Sequence, residues 1–345
     1  MSVHLLGANQ PADRFYRGGS RIARFRRRPD GSRYVPEDWV ASTTTVAGQE
    51  SLGLSRLEDG TLLAEAIEAE PVRWLGAAHL AAWGTDTKLL VKLLDAGQRL
   101  PVHVHPDGPF AHDHLLRPHG KAEAWHILEG GEVFLGLREP IPAQRLAGLV
   151  ESQATGELLA LLHRRLVRPG DTVFVPPGTL HAIGEGVFLI EAQEPEDLSV
   201  LLEWQGFAID GRRDGHLGLG FDTALRAVDR RGITDEEVEA LIRRAEAPTR
   251  LPASAERFFA IERLAPGDGG ELDGGFAVIV VVGGDGALWR EGRRHPVGSG
   301  STLVLEHHGG PLAVEGGLDV VVLRPPSPLA ADTPGVRMAE QQLLG

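Results

Sequence analysis

The sequence predicts a mainly β protein of two barrel-like domains with inserted and linking α-helices, and three observations carry that expectation. Glycine (44) and proline (23) are too frequent among 345 residues for a helical bundle and favour short strands joined by turns. Short apolar runs bounded by turn residues recur in both halves of the chain. A weak internal repeat lays Gly170-Asp-Thr-Val-Phe-Val-Pro-Pro-Gly178 beside Gly300-Ser-Thr-Leu-Val-Leu-Glu-His-His-Gly309, each followed by an apolar strand.

Taken in order, Thr87 to Asp95 and Leu100 to His105 read as two strands around Ala-Gly-Gln. Further strands are expected at Ala122 to Leu128, Val133 to Leu137, Thr172 to Val175 and Val187 to Ala192. Ala143 to Arg165 carries apolar residues at helical spacing, with a break near Thr155-Gly156 dividing it into two helices. Thr234 followed by Glu237 is a capping-box pattern, and Val238, Leu241 and Ile242 line one face of the helix it opens. Strands return at Phe258 to Ile261, Val278 to Val282, Thr302 to Leu305 and Leu318 to Leu323. The expected division is 1–208 as a first domain with a helical insertion at about 141–166, 209–250 as a linking helical segment, and 251–345 as a second domain. From Pro325 the chain reads as a surface tail.

Composition narrows the function. A net charge of −13 repels a phosphate backbone, so no nucleic-acid partner is expected. The one basic stretch, Arg21 to Arg33 with six arginines, reads as a solvated surface. Without cysteine there are no disulfides, thiolate metal sites or cysteine nucleophiles, and any metal must sit on His, Asp, Glu or Gln. The amino terminus has no signal-peptide pattern and no apolar run approaches about 18 residues, so the expectation is a cytoplasmic protein with no membrane partner.

Two motifs carry chemistry. His103 and His105 flank Val104 in an expected strand, so alternation points both imidazoles to one side; alone, such a pair is also compatible with solvated side chains. Gly170-x5-Pro176-x-Gly178-x-x-His181 delivers a third histidine just past a Pro-Gly turn, and Glu123 lies in Lys121-Ala-Glu123-Ala-Trp125. Together these resemble the two signature motifs of the cupin superfamily, with His103, His105, Glu123 and His181 in the metal-ligand positions. Three imidazoles and a carboxylate suit zinc foremost, with iron, manganese or nickel as alternatives, better than calcium or magnesium.

Seventeen residues separate His105 from Glu123, more than in most cupins. The order His105-Pro-Asp, loop, Gly120-Lys121-Ala-Glu123-Ala-Trp125, helical insert, Pro-x-Gly-Thr-x-His-Ala resembles the type I mannose-6-phosphate isomerases over about Leu89 to Gln193. Glu37-Asp-Trp39-Val-Ala-Ser42 resembles the family's Glu-x-Trp-x-x-Ser more loosely. The resemblance implies two cupin (jelly-roll β-barrel) domains, the second without ligands because Pro311 or Leu312 stands where a histidine would. It implies a sugar substrate and interconversion of an aldose and a ketose, with Glu191 as the better candidate base and Lys121 beside the metal, though Lys121 also reads as a surface lysine.

Departures from the family pattern bear on the substrate. Its glutamine ligand is His103, its serine two residues earlier is Pro101, its catalytic-site arginine falls on Leu201, and a frequent lysine falls on Thr223. Such lost groups bind phosphate or stabilise charge, which argues for an unphosphorylated or otherwise modified sugar. The alternatives are a non-catalytic sugar-binding or regulatory cupin that keeps the metal site and, with less support, an iron dioxygenase. Arg212, Arg213 and His216 are candidate replacements for the arginine, although exposed positions suit them better. His112, His114, His119 and His126 read as structural or solvated. The expected state is a monomer or small homo-oligomer.

Overall fold

A computed structural model describes residues 2–29, 31–267 and 270–328. Its strands are β1 Val3–Leu6, β2 Glu37–Val40, β3 Leu90–Asp95, β4 His103–Val104, β5 Glu123–Glu129, β6 Gly131–Leu137, β7 Leu162–Val167, β8 Thr172–Val175, β9 His181–Ile183, β10 Phe188–Gln193, β11 Val200–Leu201, β12 Ile242–Arg243, β13 Ala260–Leu264, β14 Glu271–Leu272, β15 Ala277–Gly283, β16 Asp285–Arg290, β17 Arg293–Gly298, β18 Thr302–Leu305, β19 Leu312–Gly316 and β20 Asp319–Arg324. They form two barrels of two sheets each. The first pairs the six-stranded order β12-β8-β5-β10-β3-β2 with the five-stranded β11-β4-β9-β6-β7, and the second pairs β1-β18-β15-β20-β13 with β14-β19-β16-β17.

The larger sheet of the first barrel is buried on both faces, which is why β3 and β10 read as near-continuous apolar runs. Leu94, Trp125, Ile127, Val173 and Leu189 fill the barrel interior. Leu93, Ala124, Phe174 and Ile190 face the other way, onto Val278, Val280, Val304 and Val321 of the second barrel. The interior of that second barrel is apolar, with Ile279, Val281, Leu288, Leu303 and Leu312. Leu312, one of the two residues aligned with a missing ligand, is therefore a core side chain. β1 joins this second barrel by pairing with β18, and β12 extends the first by pairing with β8. The repeated segments occupy matching places, β8 after Gly170 (φ 87°) and β18 after Gly300 (φ 90°).

Three expectations are corrected. The helical reading of Ala143 to Arg165 holds for Ala143–Glu151 and Thr155–Ala160, but Leu162 to Arg165 lie in β7, paired with β6, because sheet pairing outweighs the helical spacing of Leu158, Leu161 and Leu162. Likewise the capped helix runs Asp235–Ala240 and Ile242 is already in β12. The arginine-rich stretch is not wholly a solvated surface: it opens with helix Arg21–Phe25, Arg21 contacts Asp95 at 3.1 Å, and Arg26 binds Asp38 at 2.8 Å and Thr302 at 2.6 Å. Arg24, Arg27, Arg28 and Arg33 are exposed as expected. Of the tail expected from Pro325, residues 329–345 lie outside the described residues.

Candidate metal centre and the cavity beside it

Antiparallel pairing within each of its two sheets brings distant motifs to the interior of the first barrel. His103 in β4 sits directly across from His181 in β9, and Glu123 in β5 pairs with Gln193 in β10. Alternation along β4 and its continuation aims His103 and His105 inward together, their ring centroids 4.9 Å apart. Gly178 (φ 83°) makes the turn ahead of His181, its N–H donating to His105 O at 2.8 Å, which ties the second motif to the first. Gly120 is a site of close backbone approach. A Cβ there would lie 2.5–2.7 Å from backbone atoms of Asp107, Gly108 and Pro106, and without it Lys121 N–H reaches Pro106 O at 2.9 Å.

The three imidazoles are held in one tautomer. Nδ1 of His103, His105 and His181 lies 2.8, 2.6 and 2.8 Å from the carbonyl oxygens of Pro101, Leu198 and Thr179. Donation from Nδ1–H leaves each Nε2 lone pair facing inward. The ligand atoms of this trio lie within 4.8 Å of one another. Glu123 adds a carboxylate 3.0 Å from His105 Nε2 and 3.2 Å from His181 Nε2, oriented by a 3.0 Å hydrogen bond from Trp125 Nε1. Burial keeps His103 neutral well below its usual pKa. It also takes His105 down to about 3, helped by Lys121. Burial opposes ionisation of Glu123, but His105 and Lys121 outweigh it and hold the carboxyl well below its ordinary range.

This donor set fits a cation. Lone pairs of neutral imidazoles converge on a carboxylate, and two of the buried atoms, Glu123 Oε2 and His181 Nε2, accept or donate no hydrogen bond among the described residues, Oε2 lying 3.3 Å from the Lys121 ammonium. Buried polar atoms are rarely left so, and a divalent ion satisfies both.

Beside the metal centre lies a small cavity of about 40 Å³. Lys121 and Glu191, the two candidate catalytic residues, both line it. Lys121 is buried, not a surface lysine, with Nζ 3.1 Å from His105 Nε2 and 3.3 Å from Glu123 Oε2. Glu191 points inward from β10 as alternation requires, and burial, reinforced by the nearby Glu123 charge, pushes its pKa up to about 7. Gln193 is also buried, and its amide holds the turn that follows by donating to the carbonyls of Glu194 and Glu196.

Several cavity residues escaped the sequence reading. Lys92 in β3 lies 3.6 Å from Glu191, 3.8 Å from Glu37 and 4.7 Å above the Trp39 ring. A single charge inside the apolar run Leu89 to Leu94 was its available signal. Arg14, Tyr16 and Asp197 carried none. Arg14 reaches Asp197 at 3.2 and 3.3 Å and Glu37 at 3.3 Å, and Tyr16 O–H donates to Glu37.

Leu201 is buried opposite His103 and lines the same cavity. Arg212 and Arg213 lie on an exposed helical turn, Arg213 paired with Asp214, and His216 packs on Phe221, so none replaces a cavity arginine. His112 is exposed; His114 packs on Phe110; His119 pairs with Asp86 at 2.6 Å; and His126, on the opposite face of β5, contacts Thr172 at 3.2 Å.

No protein-family model matches the chain. Among curated proteins, mannose-6-phosphate isomerase ManA of Bacillus subtilis is 29% identical over 248 residues, 69% of this chain and 75% of that one. The mannose-6-phosphate isomerase of Streptococcus mutans is 36% identical over 134 residues, 37% of this chain and 41% of that one. The crystal structure of the mannose 6-phosphate isomerase from Bacillus subtilis superposes with a TM-score of 0.72 at 22% identity, covering 94% of this chain and all of the other. The chain thus resembles mannose-6-phosphate isomerases over about two thirds of its length in sequence and over nearly all of it in fold.

Proposed function

We infer that this protein interconverts an aldose and a ketose with the aid of a divalent metal held by His103, His105, Glu123 and His181, and that its sugar is unphosphorylated or otherwise modified. One observation carries the reading: a buried carboxyl with its pKa raised to about 7, Glu191, faces the same cavity as a donor set built for a cation. Aldose–ketose interconversion moves a proton between neighbouring carbons, and a base whose pKa lies near the working pH does so most effectively. Glu191 is placed to take that proton and return it. Lys92 and Lys121 are the cations available to balance negative charge growing on the substrate oxygens. A bound zinc ion, or iron, manganese or nickel in its place, would polarise the carbonyl and hydroxyl oxygens.

The sugar reading rests on the named relatives and the substrate shift on Leu201 and Thr223. A second reading, sugar binding without turnover, draws support from Leu201, an apolar side chain in the cavity wall at the position of the expected arginine. Admitting a sugar requires part of the wall to move. No helix among the described residues is long and apolar enough to cross a membrane, and the absence of cysteine suits a reducing, cytoplasmic setting.

The test is to incubate metal-loaded protein with mannose 6-phosphate and with a panel of free aldoses and ketoses. Conversion of one or more free sugars is expected. No conversion of any substrate at full metal occupancy, with a free sugar still binding, would favour the binder.

A further inference from the structure

We propose that Arg14 is a specificity-determining residue, locked to Asp197 and Glu37 so that the cavity accepts neutral hydroxyls and refuses a phosphate. The identity of the ligand as a sugar rests on the function proposed above; the lock itself rests on geometry.

Arg14 belongs to an irregular strap between β1 and the helix Arg21–Phe25, tied down where Arg14 N–H donates to Tyr34 O at 3.1 Å and Phe15 O accepts from Ala208 N at 2.8 Å. Its side chain, 11% exposed, passes inward over Trp39 and into the wall of the metal-side cavity. There Nε donates to Glu37 at 3.3 Å, and the two terminal nitrogens donate to the two oxygens of Asp197 at 3.3 and 3.2 Å. A guanidinium has five N–H groups, so two remain for a ligand.

The charge pattern around it is closed. The cations lining the cavity are Arg14, Lys92 and Lys121, and its carboxylates are Glu37, Glu123, Glu191 and Asp197. Each cation faces at least one carboxylate: Arg14 faces Asp197 and Glu37, Lys92 faces Glu37 and Glu191, and Lys121 faces Glu123. Leu201, directly across from His103, adds an apolar wall and no charge. A sugar hydroxyl can join this network, accepting from a spare Arg14 N–H while donating to Asp197, and every pair survives. A phosphate dianion on the same two N–H groups brings its charge against the buried Asp197 and Glu37 carboxylates, whose negative charge already offsets Arg14, and such a like-charge juxtaposition is strongly unfavourable. Asp197 is thus the latch and Arg14 the group it withholds.

The experiment uses metal-loaded, full-length protein and three variants: Asp197→Asn, Glu37→Gln and Arg14→Met. For each, kcat/KM is measured on a free aldose and on its 6-phosphate, and affinity for inorganic phosphate is followed by tryptophan fluorescence. The wild type is expected to favour the free sugar by about tenfold or more and to ignore millimolar phosphate. Asp197→Asn is expected to shift that preference about tenfold toward the phosphorylated sugar and to bring in phosphate binding. Arg14→Met should raise KM for the free sugar without any gain for phosphate. Should Asp197→Asn misfold, as judged by circular dichroism, Glu37→Gln reads the same lock.

A wild type that prefers the 6-phosphate overturns the proposal while leaving the isomerase reading intact. If the wild type converts neither sugar, the isomerase reading fails, yet phosphate binding gained in Asp197→Asn or Glu37→Gln still supports the lock. Phosphate binding unchanged in both overturns it.

Discussion

At the scale of single residues, the metal centre and the candidate base make separable demands. Replacing His181 by Ala or Glu123 by Gln removes one of the four donors proposed to hold the metal. Bound metal measured by elemental analysis should fall to a small fraction of wild type in both variants. In wild type, chelation should lower the melting temperature and added zinc restore it, by about 3 kcal/mol of stability when free metal is about 100-fold above its dissociation constant. Glu191→Gln should keep the metal and lose about 10²–10⁴-fold in turnover, read by steady-state kinetics beside metal analysis. In metal-free protein Glu191 should titrate near 7, because burial and the Glu123 charge favour its protonated form. A divalent ion on Glu123 reverses the second influence, so loading should move the titration downward. Since the base works deprotonated, kcat/KM of the loaded enzyme should rise with pH through that lowered titration. NMR titration of labelled glutamates, with and without metal, checks the direction.

At the scale of elements, local rules hold where the chain supplies its own partner. The helix Asp235–Ala240 starts on a reciprocal pair: Glu237 N–H donates to Thr234 Oγ1 at 3.2 Å and Thr234 N–H donates to Glu237 at 2.7 Å. Thr234→Ala should cost about 1 kcal/mol in urea unfolding and leave metal binding untouched. The helical insert shows the opposite case. Leu162 continues the apolar spacing of the preceding helix, but β6 offers a strand edge, and the chain crosses into β7. A single-chain pattern cannot weigh a hydrogen-bonding partner about 30 residues upstream. The same limit hid Lys92, whose lone charge in an apolar strand makes sense only once Trp39, Glu37 and Glu191 are seen around it.

At the scale of the whole molecule, the barrels share one apolar interface, and β1, from the start of the chain, is a strand of the second barrel. The buried ion-pair network fixes the response to acid. Burial opposes ionisation of Glu37, yet Arg14 and Lys92 prevail and hold its pKa at about 2, below the ordinary 4.5. Between those values the unfolded chain binds a proton that the folded one does not. Stability is therefore in place above about 4.5 and drains away as pH falls toward 2. Urea midpoints across that window should decline in wild type and decline less in Glu37→Gln. Read alone, the sequence pointed to a mainly β fold, offered His103, His105, Glu123 and His181 as candidate ligands through motifs that resemble known ones, and by strand alternation turned Glu191 inward, because alternation, Gly-Pro turns and motif spacing are local properties of a chain. Tertiary structure alone decided that Arg14, Tyr16, Glu37, Lys92 and Asp197 surround that centre, and that Leu201 stands in its wall. Those groups meet only through strand pairing and a strap closed over the barrel, and no spacing rule encodes contacts whose geometry exists only after the core has packed.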